Sequence, residues 1–246
     1  MDFYLMIGQS NMAGRAEIEK EDKKPLRDVF LLDGQNCWQP AEHPYNLYSN
    51  IRKEAELQKL GPCYSFAVKL QRRRKPFGLV VNARGGTSLT EWLPGAPEDY
   101  FGKTVTRVKA AQKSGKLRAI FWSLGETDAQ NYIAWNEDEV KPYSPQSYLN
   151  ALSGFVKDLR SALDVEPKQC PFLCSEVLYT LENDVACVGK DFNFQIIAEA
   201  SQKIPNALLV SSRGLLDIGD GMHFNSVSQR ILGTRFAYAY LNMESV

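Results

Sequence analysis

Short apolar runs alternate with helix-period patterns along this chain of 246 residues. Residues 3–7, 29–32, 77–82, 119–124, 172–178 and 207–211 are strand candidates, and the helical patterns between them predict a parallel sheet covered on both faces. Ser144-Pro145 opens a helix in which Leu149, Leu152, Phe155, Val156, Leu159 and Leu163 form one apolar stripe, with proline at its favoured first position. Toward the end of the chain, Ser226-Val227-Ser228-Gln229 fits a capping box, and Ile231, Leu232, Phe236 and Tyr240 follow at helical spacing. The expected fold class is α/β, with a mainly parallel central sheet between two helical layers.

Composition narrows the class. With 44% hydrophobic residues and no Gly/Ser/Pro-rich break, residues 1–246 read as one domain with a full core. Lys plus Arg and Asp plus Glu number 29 each, so no net field draws in nucleic acid or an anionic membrane. The basic run Arg72-Arg73-Arg74-Lys75 follows an apolar helical pattern and precedes Pro76, which reads as a solvated helix C-terminus. No apolar run approaches the ~20 residues of a membrane span, and no signal peptide precedes the first strand. The expectation is a cytoplasmic protein, with export and a trimmed signal as the alternative; the oligomeric state is left open. Cys37, Cys63, Cys170, Cys174 and Cys187 are odd in number and lack C-x-x-C spacing, so they read as buried inert thiols. Cys170 and Cys174 share one face of a strand-like run without a histidine nearby to complete a zinc site, and no metal is expected. The glycine pairs extend to neither G-x-G-x-x-G nor a P-loop, so no nucleotide cofactor is indicated.

The candidate chemistry lies at the two ends. The first apolar run stops at Gly8-Gln9-Ser10-Asn11-Met12-Ala13-Gly14, which puts a serine at the mouth of a strand. Asp220-Gly221-Met222-His223 lies just before the last helix, on a connection where catalytic groups commonly sit. A serine hydroxyl is a poor nucleophile until a base takes its proton, and the base needs a third group to fix its tautomer. Ser10, His223 and Asp220 fit those roles in that order. The chain has two histidines, and His43 lies in the Pro-bracketed stretch Gln39-Pro40-Ala41-Glu42-His43-Pro44-Tyr45, which reads as an irregular loop with a surface or rim role. His223 also has a plain structural reading, a helix-flanking histidine satisfied by Asp220.

Gly85-Gly86 and Gly125-Glu126 follow the third and fourth strand candidates. Carboxyl ends of strands are where ligands bind in doubly wound sheets, although each pair also reads as an ordinary strand-to-helix turn. Glu126 and Asp128 resemble the two carboxylates of a glycosidase, but the role expected of them is to brace the Ser10 and glycine loops through backbone N–H groups. Residues 129–136, polar and aromatic, read equally as a sugar-facing rim or as loop anchors.

Taken together these blocks resemble the SGNH hydrolases, within them carbohydrate esterase family 6 and the sialate O-acetylesterases. Gly8-Gln9-Ser10-Asn11-Met12 is similar to the first block, Ala83-Arg84-Gly85-Gly86-Thr87-Ser88 with Trp92 to the second, Trp122-Ser123-Leu124-Gly125-Glu126-Thr127-Asp128 to the third and Asp220-Gly221-Met222-His223 to the last. The resemblance implies a flavodoxin-like α/β/α esterase acting on an acetylated carbohydrate, acetylxylan or O-acetyl sialic acid, through an acetyl-enzyme and without a cofactor. It implies Ser10, Asp220 and His223 as catalytic residues and backbone N–H groups of Ser10 and of Gly85 or Gly86 as the oxyanion hole. Gln9, Asn11, Trp92, Glu126 and Asp128 would support the site or bind substrate. One departure stands out: the family commonly has glutamine where this chain has Leu124, and leucine donates no hydrogen bond. Either another donor completes the hole, or the enzyme is slow, or the site has become a carbohydrate-binding module.

Overall fold

The computed structural model describes residues 1–74, 76–133, 144–178, 199–200 and 202–244. Lys75, Cys187 and residues 134–136 of the polar-aromatic segment lie outside them. The strands are β1 (Asp2–Gly8), β2 (Val29–Leu32), β3 (Trp38–Pro40), β4 (Phe77–Ala83), β5 (Lys116–Ser123), β6 (Phe172–Ser175) and β7 (Ala207–Val210). The α-helices are α1 (Ser10–Ala13), α2 (Cys63–Leu70), α3 (Tyr100–Gln112), α4 (Glu126–Ile133), α5 (Pro145–Ala162) and α6 (Ser226–Glu244). One seven-stranded sheet runs β3-β2-β4-β1-β5-β6-β7, parallel except for β3, and helices cover both faces. Five of these strands, β4-β1-β5-β6-β7, have the flavodoxin-like order, and the β2/β3 hairpin extends it at one edge.

β1 is central because both of its faces are apolar. Phe3, Leu5 and Ile7 enter one core with Trp92, Trp122 and Phe155, while Tyr4 and Met6 enter the other with Phe66, Phe121, Phe236 and Tyr240. A strand buried on both sides reads as a continuous hydrophobic run, which is why its sequence shows no alternation. β1 pairs with β4 and β5 so that Gly8 stands opposite Ala83 and Ser123. Three strand ends are therefore level, and they deliver the turns carrying Ser10, Gly85 and Glu126 to one edge of the sheet.

Several expected boundaries move. The run expected at 172–178 stops as a strand at Ser175, because its neighbour β7 ends at Val210, the residue paired with Ser175. Cys170 accordingly precedes β6 and is not in it, though it and Cys174 are both buried. The strand expected to begin at Ala119 begins at Lys116 and ends at Ser123, one residue short of Leu124. β3 has no counterpart in the apolar pattern, being three residues long and closed by Pro40, as suits a sheet edge. It also takes Gln39 and Pro40 out of the loop expected around His43.

The α5 stripe is buried as its spacing predicts, with Ser144 capping the helix by accepting from Ser147 N at 3.0 Å. The capping box expected at Ser226 is overturned. Asn225 is the cap, its Oδ1 accepting from Ser228 N at 2.9 Å, while Ser226 Oγ donates to the Glu17 carbonyl. Ile231 is also corrected: the buried face of α6 runs through Gln229, Leu232, Phe236 and Tyr240, and Ile231 lies on the solvent side. Among the described residues no helix is long and apolar enough to cross a membrane.

Candidate active site

Ser10 opens α1 immediately after the turn that ends β1. Gly8 takes φ +138°, and a Cβ there would lie 2.1 Å from the Ser123 carbonyl oxygen, so only glycine lets β1 turn against β5 at this point. Gln9 N then donates to that same Ser123 oxygen at 2.8 Å, and Arg84 N donates to the Gly8 oxygen at 2.9 Å. The serine turn is thus held from both neighbouring strands.

His223 and Asp220 reach Ser10 across the whole length of the chain. Ser10 Oγ lies 2.9 Å from His223 Nε2, and His223 Nδ1 lies 2.6 Å from Asp220 Oδ2. With Nδ1–H donating to the carboxylate, Nε2 is left to accept the serine proton. Asp220 Oδ1 also accepts from His223 N at 2.8 Å and Met222 N at 3.0 Å. Partial burial pushes the Asp220 carboxyl upward, but these backbone and imidazole hydrogen bonds outweigh it and hold the group below the usual carboxylate range. The loop closes on itself through an isolated bridge between Asp217 and Phe224, Ile218 N donating to the His223 carbonyl, and Gly221 N donating to the Asp217 carboxylate.

Asn11 joins the two ends. Its Nδ2 donates to Glu126 Oε1 at 2.5 Å and to the Met222 carbonyl at 3.1 Å, and its Oδ1 accepts from Phe224 N at 3.0 Å. One buried amide therefore grips the residues on either side of His223 while standing next to Ser10. Gln229 supports it from α6, its Nε2 donating to the Asn11 carbonyl at 3.2 Å. Gln229 therefore belongs to the frame of the site and not to a capping box. The available signal was its place on the apolar face of the helix, in step with Leu232, Phe236 and Tyr240, where a polar side chain needs a partner.

The other expected residues divide. Gly85 stands beside the nucleophile: a Cβ built on it would lie 3.3 Å from Ser10 Cβ. Gly86 does not, since its open side faces Lys53 Nζ at 3.2 Å. Among the described residues neither Ser10 N nor Gly85 N has a hydrogen-bond partner, which leaves both free to donate to a developing oxyanion. Trp92 is fully buried and so does not bind substrate; its indole N–H donates to Thr87 Oγ1 at 3.0 Å, stiffening the turn that follows Gly86.

Gln9 is buried, with Oε1 accepting from Thr127 Oγ1 at 3.5 Å. Asp128 accepts from Leu89 N through both oxygens at 3.1 Å, so it braces the glycine loop through a backbone N–H. Glu126 braces the serine loop through the Asn11 side chain, not through a backbone N–H as expected. Burial pushes the Asp128 carboxyl up to about 7, against the opposing Leu89 bond, and raises Glu126 as well. Both carboxylates are buried and engaged in the frame, which leaves neither facing a sugar as a glycosidase acid or base would.

Leu124 is buried in the core cluster that also holds Trp92, Trp122 and Tyr148, and its carbonyl accepts from Tyr148 Oη at 2.7 Å. It packs beneath the site. His43 is corrected too: it is half-buried between the rings of Tyr45 and Tyr64, with centroids at 4.9 and 5.0 Å, and burial drives its imidazole down to about 4. Cys63, Cys170 and Cys174 are buried with thiols pushed up to about 12, whereas Cys37 is exposed, contrary to expectation. Among the described residues no group of three His, Cys, Asp or Glu is placed to hold a metal ion.

The model of a carbohydrate esterase family of sialic acid-specific acetylesterases matches residues 1–242. A probable carbohydrate esterase of Arabidopsis thaliana is 26% identical over 258 residues, covering 97% of this chain and 90% of that one. The crystal structure of that plant protein superposes with a TM-score of 0.80 at 24% identity, covering 98% of each chain. NanS superposes with a TM-score of 0.70 at 17% identity, covering 99% of this chain and 97% of its own.

Proposed function

The chain belongs to the carbohydrate esterase family of sialic acid-specific acetylesterases, a family of carboxylic ester hydrolases, and we propose that it removes O-acetyl groups from a sugar by double displacement at Ser10. The observation that carries this reading is the unbroken hydrogen-bonded chain from Ser10 Oγ through His223 to Asp220. Ser10 Oγ attacks the acetyl carbonyl as its proton passes to His223 Nε2. The negative charge that develops on the carbonyl oxygen is met by the N–H groups of Ser10 and Gly85, and Asp220 stabilises the imidazolium. Collapse of the tetrahedral intermediate breaks the bond to the sugar oxygen, which takes the proton from Nε2. Water then adds to the acetyl-serine with His223 again as base, releasing acetate and returning the proton to Ser10.

No metal or organic cofactor enters these steps. Leu124 supplies no donor, and in this reading the backbone N–H groups of Ser10 and Gly85 carry the oxyanion. Both an O-acetyl sialic acid and an acetylated xylan fragment fit the reaction as written. Mass-spectrometric assay of deacetylation against a panel of acetylated sugars tests the reading. Acetate release that disappears in Ser10→Ala supports it. Sugar binding without acetate release would replace it with a carbohydrate-binding role.

A further inference from the structure

Arg15 lies over the glycine that flanks the nucleophile. It follows α1, and its Nη1 donates to the carbonyls of Gly14 at 2.7 Å and Leu57 at 2.8 Å, which fixes the plane of the guanidinium. The backbone on either side is pinned as well: Lys59 N donates to the Gly14 carbonyl at 3.3 Å, and Ala16 and Leu60 exchange a pair of hydrogen bonds at 3.3 and 2.9 Å. Nη2 of the same guanidinium fills the place that a side chain at Gly85 would take, since a Cβ built there collides with Nη2 and lies 3.3 Å from Ser10 Cβ. Gly85 therefore makes room for the cation, and a gap the size of one methyl group separates Nη2 from the Ser10 side chain.

The charge there is not cancelled. Nη2 donates to no described group and is not enclosed. Arg230, Arg74 and Arg118 each meet a carboxylate, and the buried Arg107 and Arg160 turn inward onto backbone carbonyls. Arg15 has no ion-pair partner among the described residues. Half-burial lowers its pKa, but from a value so far above neutrality that the guanidinium stays charged. A fixed cation at the edge of a protein interior, where screening is weaker than in water, attracts any negative charge that grows beside it. In acyl transfer that charge grows on the carbonyl oxygen, against the free N–H groups of Ser10 and Gly85, and Leu124 adds no side-chain donor to them.

We infer that Arg15 is the cationic member of the oxyanion hole: its guanidinium, laid over Gly85, stabilises the charge that develops on the acetyl carbonyl oxygen, where Leu124 supplies no donor. It neither gives nor takes a proton. The inference rests on the acetylesterase reading above and adds to it a residue that acts on the transition state more than on the bound ester. Its test is the p-nitrophenol burst from p-nitrophenyl acetate, which separates the acylation rate constant from the dissociation constant of the ester. That substrate is neutral and carries no sugar, so selection among sugars does not enter. Arg15→Gln should lower the acylation rate constant on the order of 10²-fold, the scale of one lost oxyanion donor, while the dissociation constant changes by less than about threefold.

Arg15→Lys and Arg15→Gln both lose the guanidinium fork that grips Gly14 and Leu57, so a merely structural role predicts equal losses. The charge role predicts that Arg15→Lys acylates about tenfold faster than Arg15→Gln. Phenylboronic acid, whose adduct with serine is a tetrahedral anion, should bind Arg15→Gln at least about tenfold more weakly than wild type. In Arg15→Ala, guanidinium ion added at millimolar concentration should restore part of the rate, and urea, its neutral isostere, should not. Unchanged acylation in Arg15→Gln, a loss confined to the dissociation constant, equal rates in Arg15→Lys and Arg15→Gln, undiminished boronate binding, or rescue by urea as well as by guanidinium would overturn the inference. A burst that survives Ser10→Ala would remove the esterase reading itself and the hole with it, whereas any of those outcomes with Ser10→Ala inactive removes the Arg15 assignment alone.

Discussion

Ser10 stands on a turn clamped between the level ends of β1, β4 and β5, whereas Asp220 and His223 stand on a loop held chiefly by its own turn bonds and by Asn11. The serine is 3% exposed; the aspartate side chain is 40% exposed. The nucleophile inherits its position from the sheet and two hydrophobic cores, and the base inherits its position from polar side chains. Packing determines the first and hydrogen-bond identity the second, so the two halves should respond differently to substitution.

The largest effect should come from removing either end of the chemistry. Ser10→Ala and His223→Ala should each lower kcat on an acetyl ester by about 10³-fold or more, and the double variant should be little worse than either, because the pair acts as one unit. Additive losses in that double-mutant cycle would show that the two halves do not cooperate. Next comes the clamp between them. Asn11→Leu keeps the volume but strips partners from the Glu126 carboxyl, the Met222 carbonyl and Phe224 N, so kcat should fall on the order of 10²-fold as His223 loses register. Exchange protection of β1 amides should change far less than that of the loop at 217–224. Equal loosening of both would erase the distinction.

On the sheet side, Leu124→Gln should lower stability by roughly 1–3 kcal/mol without raising kcat, since the position is buried in the hydrophobic core and an amide there is left unpaired. A gain in kcat would reveal that the hole does lack a side-chain donor. The smallest effect is a pH dependence in the Asp128 brace. Its folded pKa of about 7 lies above the ordinary carboxylate value near ~3.9, so the folded state keeps a proton that the unfolded chain has released, and stability from this group falls as pH rises between those limits. Asp128→Asn, which retains an acceptor for Leu89 N, should flatten that slope in thermal melts from about pH 4 to 8.

The same contrast explains what could be read from the sequence. β1, β4, β5 and α5 were legible because burial imposes long apolar patterns, and the serine turn was legible because glycine must precede it. β3 was not, since three residues ending in proline leave no pattern. The polar frame was legible only in pieces: Ser10, Asp220 and His223 stand out as residue types, but the partner of an amide is a fact of tertiary structure. Gln229 reads as part of a cap because a serine precedes it by three positions. Trp92 lay in a motif and proved to be core, which adjacency to a motif cannot distinguish from substrate contact.

The central claim is that Ser10 is a nucleophile activated by His223 and held in register by Asn11. Peptide mapping by mass spectrometry after reaction with a fluorophosphonate tests it most directly, on the wild-type protein and on His223→Ala and Asn11→Leu. The account predicts one adduct, on Ser10, forming fastest in wild type, much more slowly in Asn11→Leu and slowest in His223→Ala. An adduct on another residue, or labelling of Ser10 at the same rate in all three proteins, would contradict it.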